Sequence, residues 1–81
     1  MKARVHVFYK DTVFDPQGNT LAHSLRSTGF RRVKGARVGK VIDLEMEGGT
    51  SEEVRNDLQK MCEKLLANPV IETFKYELLP Q

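Results

Sequence analysis

The sequence lacks the features that mark several large classes of protein. It has one cysteine, no tryptophan and a formal net charge of only +2 from 13 basic and 11 acidic residues. A lone cysteine excludes an internal disulfide framework, and so small a charge excess argues against a nucleic-acid-binding module. No apolar run approaches the roughly 20 residues that span a bilayer, and the start MKARVHVFYKD has no apolar signal-peptide core. We therefore expect a cytoplasmic protein that binds neither membrane nor nucleic acid.

The chain has the composition of a globular domain. Hydrophobic residues make up 40% and charged residues 30% of its 81 residues, which is ordinary for a folded protein. Residues 1–81 are long enough for one domain with a modest core. Copies of the chain or other partners are expected to supply further burial.

The first part of the sequence predicts a strand followed by a helix. Apolar and polar residues alternate over residues 3 to 9, with the period of two that is typical of a strand. Asp15 and Pro16 suit the N-cap and the first helical position, and Gly29 suits a left-handed C-cap. Between them, one stripe of small and apolar residues comprises Leu21, Ala22, Leu25 and Thr28. This spacing predicts a helix over about residues 16 to 28.

A second region of alternation, Ala36 to Met46, predicts a long strand with Lys40 on the apolar parity. Val33 lies on the opposite parity, so a bulge or a tight turn near Gly35 or Gly39 must reset the register. The pattern does not separate one bent strand from a hairpin.

The remaining elements are a second helix and a last strand. Thr50 and Glu53 form a capping box, and Asn68-Pro69 ends the helix. Its predicted apolar stripe comprises Val54, Leu58, Met61, Cys62 and Leu65. The last strand is predicted from Val70 to Leu79.

This order of elements predicts an α+β fold. We expect a two-layer sandwich in which two helices cover one face of an antiparallel or mixed sheet of three to four strands, related to ferredoxin-like folds. The second face of that sheet keeps some apolar residues, and another subunit is expected to cover it.

Motifs for catalysis or metal binding are missing from the sequence. His6 and His23 have no further ligand at metal-site spacing, and Cys62 falls on the core side of a helix. The glycine-containing pieces GARVGK and EGGTSEE match neither a phosphate-binding loop nor a dinucleotide fingerprint. We therefore predict no catalytic residue, no metal site and no cofactor held by this chain.

Two residues resist a local explanation. Gly18 lies in the first turn of the predicted helix, where glycine costs about 1 kcal/mol relative to alanine. Lys40 lies between Val38 and Ile42 on an apolar face, so its ammonium group must reach an edge, a carboxylate or a partner.

These residues belong to a pattern that resembles the PurS family, the small subunits of phosphoribosylformylglycinamidine synthase. The pattern spans the chain and comprises DPQG at 15–18, GF at 29–30, Val33, ARVGK at 36–40 and NPVIE at 68–72. Ala36 and Phe14 depart from the family, which more often has a valine and an aliphatic residue there.

The resemblance implies a non-catalytic subunit of an ATP-dependent, glutamine-using C–N ligase in purine biosynthesis. Such subunits form homodimers or dimers of dimers, and they join a glutaminase subunit, PurQ, to a synthetase subunit, PurL. The complex uses ATP, magnesium and glutamine to convert formylglycinamide ribonucleotide to formylglycinamidine ribonucleotide.

Within this scheme the polar parts of the pattern are the predicted contacts with partner chains. They comprise Asp15, Pro16, Gln17, Gly18, Arg37, Gly39 and Lys40. We expect Gly18 to allow close approach of another backbone to the helix N-terminus. Two other interpretations stay open: a small dimeric regulatory domain that binds a metabolite, and an RNA-binding module that uses the basic residues between 31 and 40.

Overall fold

The computed structural model describes residues 1–80. These residues form β1 (Lys2–Tyr9), α1 (Pro16–Ser27), β2 (Gly39–Glu45), α2 (Ser51–Met61), a π-helical turn (Cys62–Leu66) and β3 (Glu72–Leu79). The strands make one antiparallel sheet in the order β2-β1-β3. The predicted α+β fold with an antiparallel sheet and two helices is confirmed.

The core lies between the sheet and α2. Alternate residues of β1, Ala3, Val5 and Val7, are at most 1% exposed, as the period of a strand requires when one face is covered. Val54, Leu58, Cys62 and Ala67 pack against them from the helical layer. The Cα atoms extend over 49 × 29 × 13 Å, so the molecule is flat.

The start of α2 agrees with its sequence and the end does not. Thr50 Oγ1 accepts the Glu53 N–H, and Glu53 Oε1 accepts the Thr50 N–H, which is the predicted capping box. After Met61 the chain forms a π-helical turn, in which the Ala67 N–H donates to the Cys62 carbonyl oxygen at 3.1 Å.

This wider turn corrects one residue of the predicted core. Leu65 was placed on the apolar stripe, but it is 84% exposed. Because a π-helical turn holds more residues than an α-helical turn, the next residue, Leu66, packs against the core instead.

The two later strands are shorter than predicted. β2 begins at Gly39, and residues 30–38 have no regular strand pairing, so they form neither a hairpin nor the first half of a bent strand. β3 begins at Glu72, and Val70 lies in the preceding turn with 76% exposure. Pairing explains both limits, since β1 ends at Tyr9, opposite Glu72, and its Phe8 lies opposite Gly39.

α1 has its predicted caps and a different environment from α2. Asp15 is the N-cap and Pro16 the first helical residue. Gly29 has a φ of 108°, and the Phe30 N–H donates to the Leu25 carbonyl oxygen, which closes the helix as a Schellman-type cap. Among residues 1–80, however, none of the main core cluster comes from α1.

The sheet face opposite α2 carries several charged residues and some apolar ones, Val41 among them. Arg4 lies across from Asp43 and Glu77, and His6 lies across from Val41 and Lys75. The Arg4 guanidinium donates to both oxygens of Asp43, at 2.8 and 3.2 Å. In the part of the chain that the structure describes, no helix is both long and apolar enough to cross a membrane.

Candidate partner-contact site

Asp15 joins the two sequence motifs that the resemblance singled out. Its Oδ1 accepts the Gly18 N–H at 2.9 Å, and its Oδ2 accepts the Val38 N–H at 2.7 Å. The residue is only 3% exposed. The DPQG turn and the ARVGK segment are thus connected by one carboxylate.

The same contacts set the ionisation of Asp15. The Val38 N–H and then the Gly18 N–H are the main causes that lower the pKa of the carboxyl group, because both bonds favour the charged form. An ionised carboxylate is the form that accepts two donors at once, so the connection is strongest at neutral pH.

Gly18 is buried beneath the backbone of the second motif. A Cβ at this position would collide with the carbonyl oxygen of Ala36 and would lie 2.9 Å from Asp15 Oδ2. Sequence reasoning expected a close backbone approach here from a neighbouring chain. The backbone in contact with Gly18 is this chain's own.

Arg37 and Gly39 hold the ARVGK segment against the end of β1. Arg37 Nη2 donates to the Lys10 carbonyl oxygen at 2.7 Å. A Cβ on Gly39 would lie 2.8 Å from the Val7 carbonyl oxygen, so glycine lets the two strands pair closely at this end.

The other predicted contact residues are available at the surface. Pro16 and Gln17 are exposed on the first turn of α1. Lys40 lies opposite Val7, on the core-facing parity, but it is at the end of β2 and is exposed, as its charge requires. Gln17 and Lys40 line one shallow groove together with Val38 and Glu72.

Sequence reasoning missed one residue that shapes this region. Arg26, in the last turn of α1, donates from Nη1 to the carbonyl oxygens of Val33 and Lys34, at 3.2 Å each. The only local signal was an arginine near a helix end, which is common. The irregular segment 30–38 is therefore held in its middle by Arg26 and at its C-terminal end by Asp15.

Metal-binding and thiol chemistry have little support in the described residues. Residues 1–80 contain no group of three side chains that could hold a metal ion. Burial, and secondarily Glu63, raises the pKa of the Cys62 thiol, which keeps it protonated and unreactive near neutral pH.

Comparison with known proteins agrees with the pattern. A family model described as phosphoribosylformylglycinamidine (FGAM) synthase, PurS, matches residues 2–80. The phosphoribosylformylglycinamidine synthase subunit PurS of Methanocaldococcus jannaschii is 40% identical over 77 residues, which cover 95% of this chain and 93% of the relative. The Bacillus subtilis subunit is also 40% identical over 77 residues, with coverage of 95% and 90%.

Solved structures share both the sequence and the fold. Bacillus subtilis PurS is 41% identical with a TM-score of 0.84, covering 94% of each chain. A chain from the structure of PurLQS from Thermotoga maritima is 38% identical with a TM-score of 0.88, covering 96% of this chain and 95% of that one. The chain therefore belongs to the PurS family of phosphoribosylformylglycinamidine synthase.

Proposed function

We propose that this chain is a non-catalytic structural subunit of the phosphoribosylformylglycinamidine synthase complex. It joins the glutaminase subunit, PurQ, to the synthetase subunit, PurL, so that ammonia passes directly to formylglycinamide ribonucleotide. ATP, magnesium and glutamine are used by the other subunits, and the complex works in the cytoplasm. The observation that carries the proposal is the full-length similarity to a chain of the Thermotoga maritima PurLQS structure.

Self-association is the second part of the proposal. The face of the sheet opposite α2 has no covering layer within residues 1–80, and Val41 on that face is 57% exposed. Its charges also complement one another, since Arg4 and Lys75 alternate with Asp43 and Glu77. We propose that a second copy covers this face, which gives the homodimer or homotetramer that a small core favours.

The exposed members of the two motifs are proposed to contact the larger subunits. Gln17 and Lys40 present an amide and an ammonium group from one groove. Arg37 donates one N–H to the Lys10 carbonyl oxygen and has further N–H groups for a partner. Asp15, Gly18 and Gly39 fix the backbone that carries them.

Reconstitution with PurQ and PurL of the same organism tests the function. We expect omission of this chain to abolish glutamine-dependent synthesis and to spare synthesis from added ammonium salt, because in the proposed scheme added ammonia replaces the ammonia that the chain helps to transfer. Glutamine-dependent activity that is unchanged without the chain would contradict the proposal.

A titration of the isolated chain separates the regulatory alternative. The structural role predicts no heat on addition of amino acids or nucleotides. The metabolite-binding regulator would be favoured by two results together: a saturable heat with a stoichiometry of one ligand for each dimer, and full glutamine-dependent activity of PurQ and PurL without this chain.

A further inference from the structure

The charge of the chain is distributed unevenly along the sequence. Between Pro16 and Ile42 there is no aspartate or glutamate. The basic residues of that segment are Arg26, Arg31, Arg32, Lys34, Arg37 and Lys40. The whole chain has a formal net charge of only +2, so the remainder is net negative and this segment is a distinct basic region.

Part of this region encloses a groove between α1 and the segment that follows it. The α1–loop groove has a volume of about 350 Å³ and is lined by Phe14, Asp15, Asn19, Ala22, Lys34, Gly35, Ala36 and Arg37. Its more buried members include the small apolar residues Ala22 and Ala36. Phe14, Lys34 and Arg37 are exposed around it. The groove thus combines an apolar lining with two cations and an exposed aromatic ring.

Within residues 1–80 the two cations of the groove outnumber its one carboxylate, Asp15, whose charge interacts with that of Arg37. Asp15 is the one carboxylate in the lining, and both of its oxygens accept backbone N–H groups. Within residues 1–80, neither Lys34 nor Arg37 lies within salt-bridge distance of a carboxylate. A ligand with a carboxylate would complete the charge balance of the groove.

The groove is also preformed. Arg26 binds the carbonyl oxygens of Val33 and Lys34, and Asp15 binds the Val38 N–H. Gly18 lies directly below the Ala36 carbonyl oxygen. Because the wall of the groove is held in place before binding, less conformational entropy is lost when a partner binds.

We infer that the α1–loop groove receives an acidic segment of a larger subunit, with an apolar side chain beside Phe14 and Ala36 and a carboxylate between Lys34 and Arg37. The inference rests on the proposed function and names the chemistry of the contact. Arginine and aromatic residues are enriched where protein interfaces gain most of their affinity.

A protein segment fits the groove better than a nucleic acid does. RNA-binding sheets stack bases on aromatic side chains. Here the open sheet face carries Asp43 and Glu77 beside Arg4 and Lys75, so it offers no continuous basic surface to phosphate groups. Two of the basic residues, Lys34 and Arg37, instead line a groove that also contains Phe14, Ala22 and Ala36.

Charge reversal in the groove is the first test. Lys34→Glu is compared with Lys64→Glu, which makes the same change at an exposed position of the π-helical turn. We expect Lys34→Glu to weaken binding to the PurQ and PurL subunits by about tenfold or more, and Lys64→Glu to change it less than twofold. Raising the salt concentration should weaken the wild-type interaction and narrow the difference.

Steric filling of the groove is the second test. Asn19→Trp places a large side chain in the groove, whereas His23→Trp places the same side chain on an exposed part of α1 outside it. We expect only Asn19→Trp to weaken assembly by about tenfold or more. Thermal unfolding of all four variants verifies that each is folded.

The outcomes separate this inference from the function on which it depends. If the wild-type chain assembles and Lys34→Glu and Asn19→Trp assemble equally well, the groove is not the contact and the proposed function stands. If the wild-type chain fails to join the complex, the proposed function itself is wrong. Two results would also overturn the inference: these variants losing only self-association in sedimentation, or losing only retention on RNA.

Discussion

α1 and α2 are of similar length, 12 and 11 residues, yet they are attached to the molecule by different interactions. α2 places Val54 and Leu58 in the core, where each is at most 3% exposed. α1 buries Gly18 and Ala22 but leaves Leu21 47% exposed. Asp15 and Arg26 attach it to the following loop by hydrogen bonds.

The two kinds of attachment, apolar burial for α2 and hydrogen bonds for α1, give the two helices different roles. Apolar burial is non-directional and stabilises the fold as a whole, so α2 provides the core. Hydrogen bonds depend on geometry, so α1 and the loop after it are held in one defined shape. A surface of fixed shape with unused hydrogen-bonding groups suits a subunit that binds partner chains.

The largest expected effect comes from emptying the core under α2. Leu58 is fully buried, and Leu58→Ala is expected to lower the free energy of unfolding by about 2–5 kcal/mol. Leu65→Ala, on the same helical segment at 84% exposure, is the control and should change it by less than about 0.5 kcal/mol. Urea denaturation measures both, and equal losses would contradict the π-helical turn.

The next effect is expected at Gly18. In an exposed helix, Gly→Ala stabilises by about 1 kcal/mol. Here the new methyl group would meet the Ala36 carbonyl oxygen, so Gly18→Ala should instead destabilise by about 1–3 kcal/mol. Ser24→Ala, at an exposed position of α1, is the control. A more stable Gly18→Ala variant in denaturant would show that α1 does not lie against this loop.

Asp15→Asn tests the polar attachment of α1 through its pH dependence. The pKa of Asp15 is lowered in the folded chain, so its stabilising contribution is full above the ordinary carboxyl value and is lost as the pH falls through the lowered value. We expect the variant to be less stable than the wild type at pH 7 and the difference to shrink as the pH falls below about 4.

Hydrogen exchange of the Val38 amide reports the same contact directly. It should be faster in Asp15→Asn at pH 7. Asp11→Asn removes an exposed carboxylate nearby and is the matched control. If Asp15→Asn differed from the wild type by the same amount at every pH, in stability and in Val38 exchange, the ionised carboxylate would not be what joins the two motifs.

The smallest effect in the monomer is expected for Asp43→Asn on the open sheet face. The Arg4 guanidinium lowers the pKa of Asp43 by hydrogen bonding, but both side chains are exposed to solvent, at 40% and 60%. Exposed ion pairs contribute little and are screened by salt. Denaturation at low and high salt should show a minor loss, whereas sedimentation should show a larger effect if a second copy covers this face.

Local features of the structure were predictable because their causes are local. The Asp15 cap, the capping box of Thr50 and Glu53, and the alternation of β1 each depend on residues within a few positions of one another. The bounds of α1 agree with the prediction within one residue. The family was also recognisable from DPQG and ARVGK.

Features that depend on distant contacts were not predictable in the same way. Leu65 follows the helical spacing, so the sequence places it on the apolar stripe. In the structure the wider π-helical turn instead brings Leu66 and Ala67 against the core. Ala36–Val38 alternates like a strand, but the Val38 N–H bonds to Asp15 and not to a neighbouring strand. The interface role of the seven predicted contact residues stays a prediction.

The sequence by itself determined the order of the elements, the N-caps of both helices, the absence of recognisable catalytic motifs and the family, since each depends on residue type and short spacing. Only the tertiary structure decided why Gly18 must be glycine and how DPQG meets ARVGK. The physical reason is that Asp15 and Val38 lie 23 positions apart, and a contact at that separation is set by how the helix and the sheet pack together.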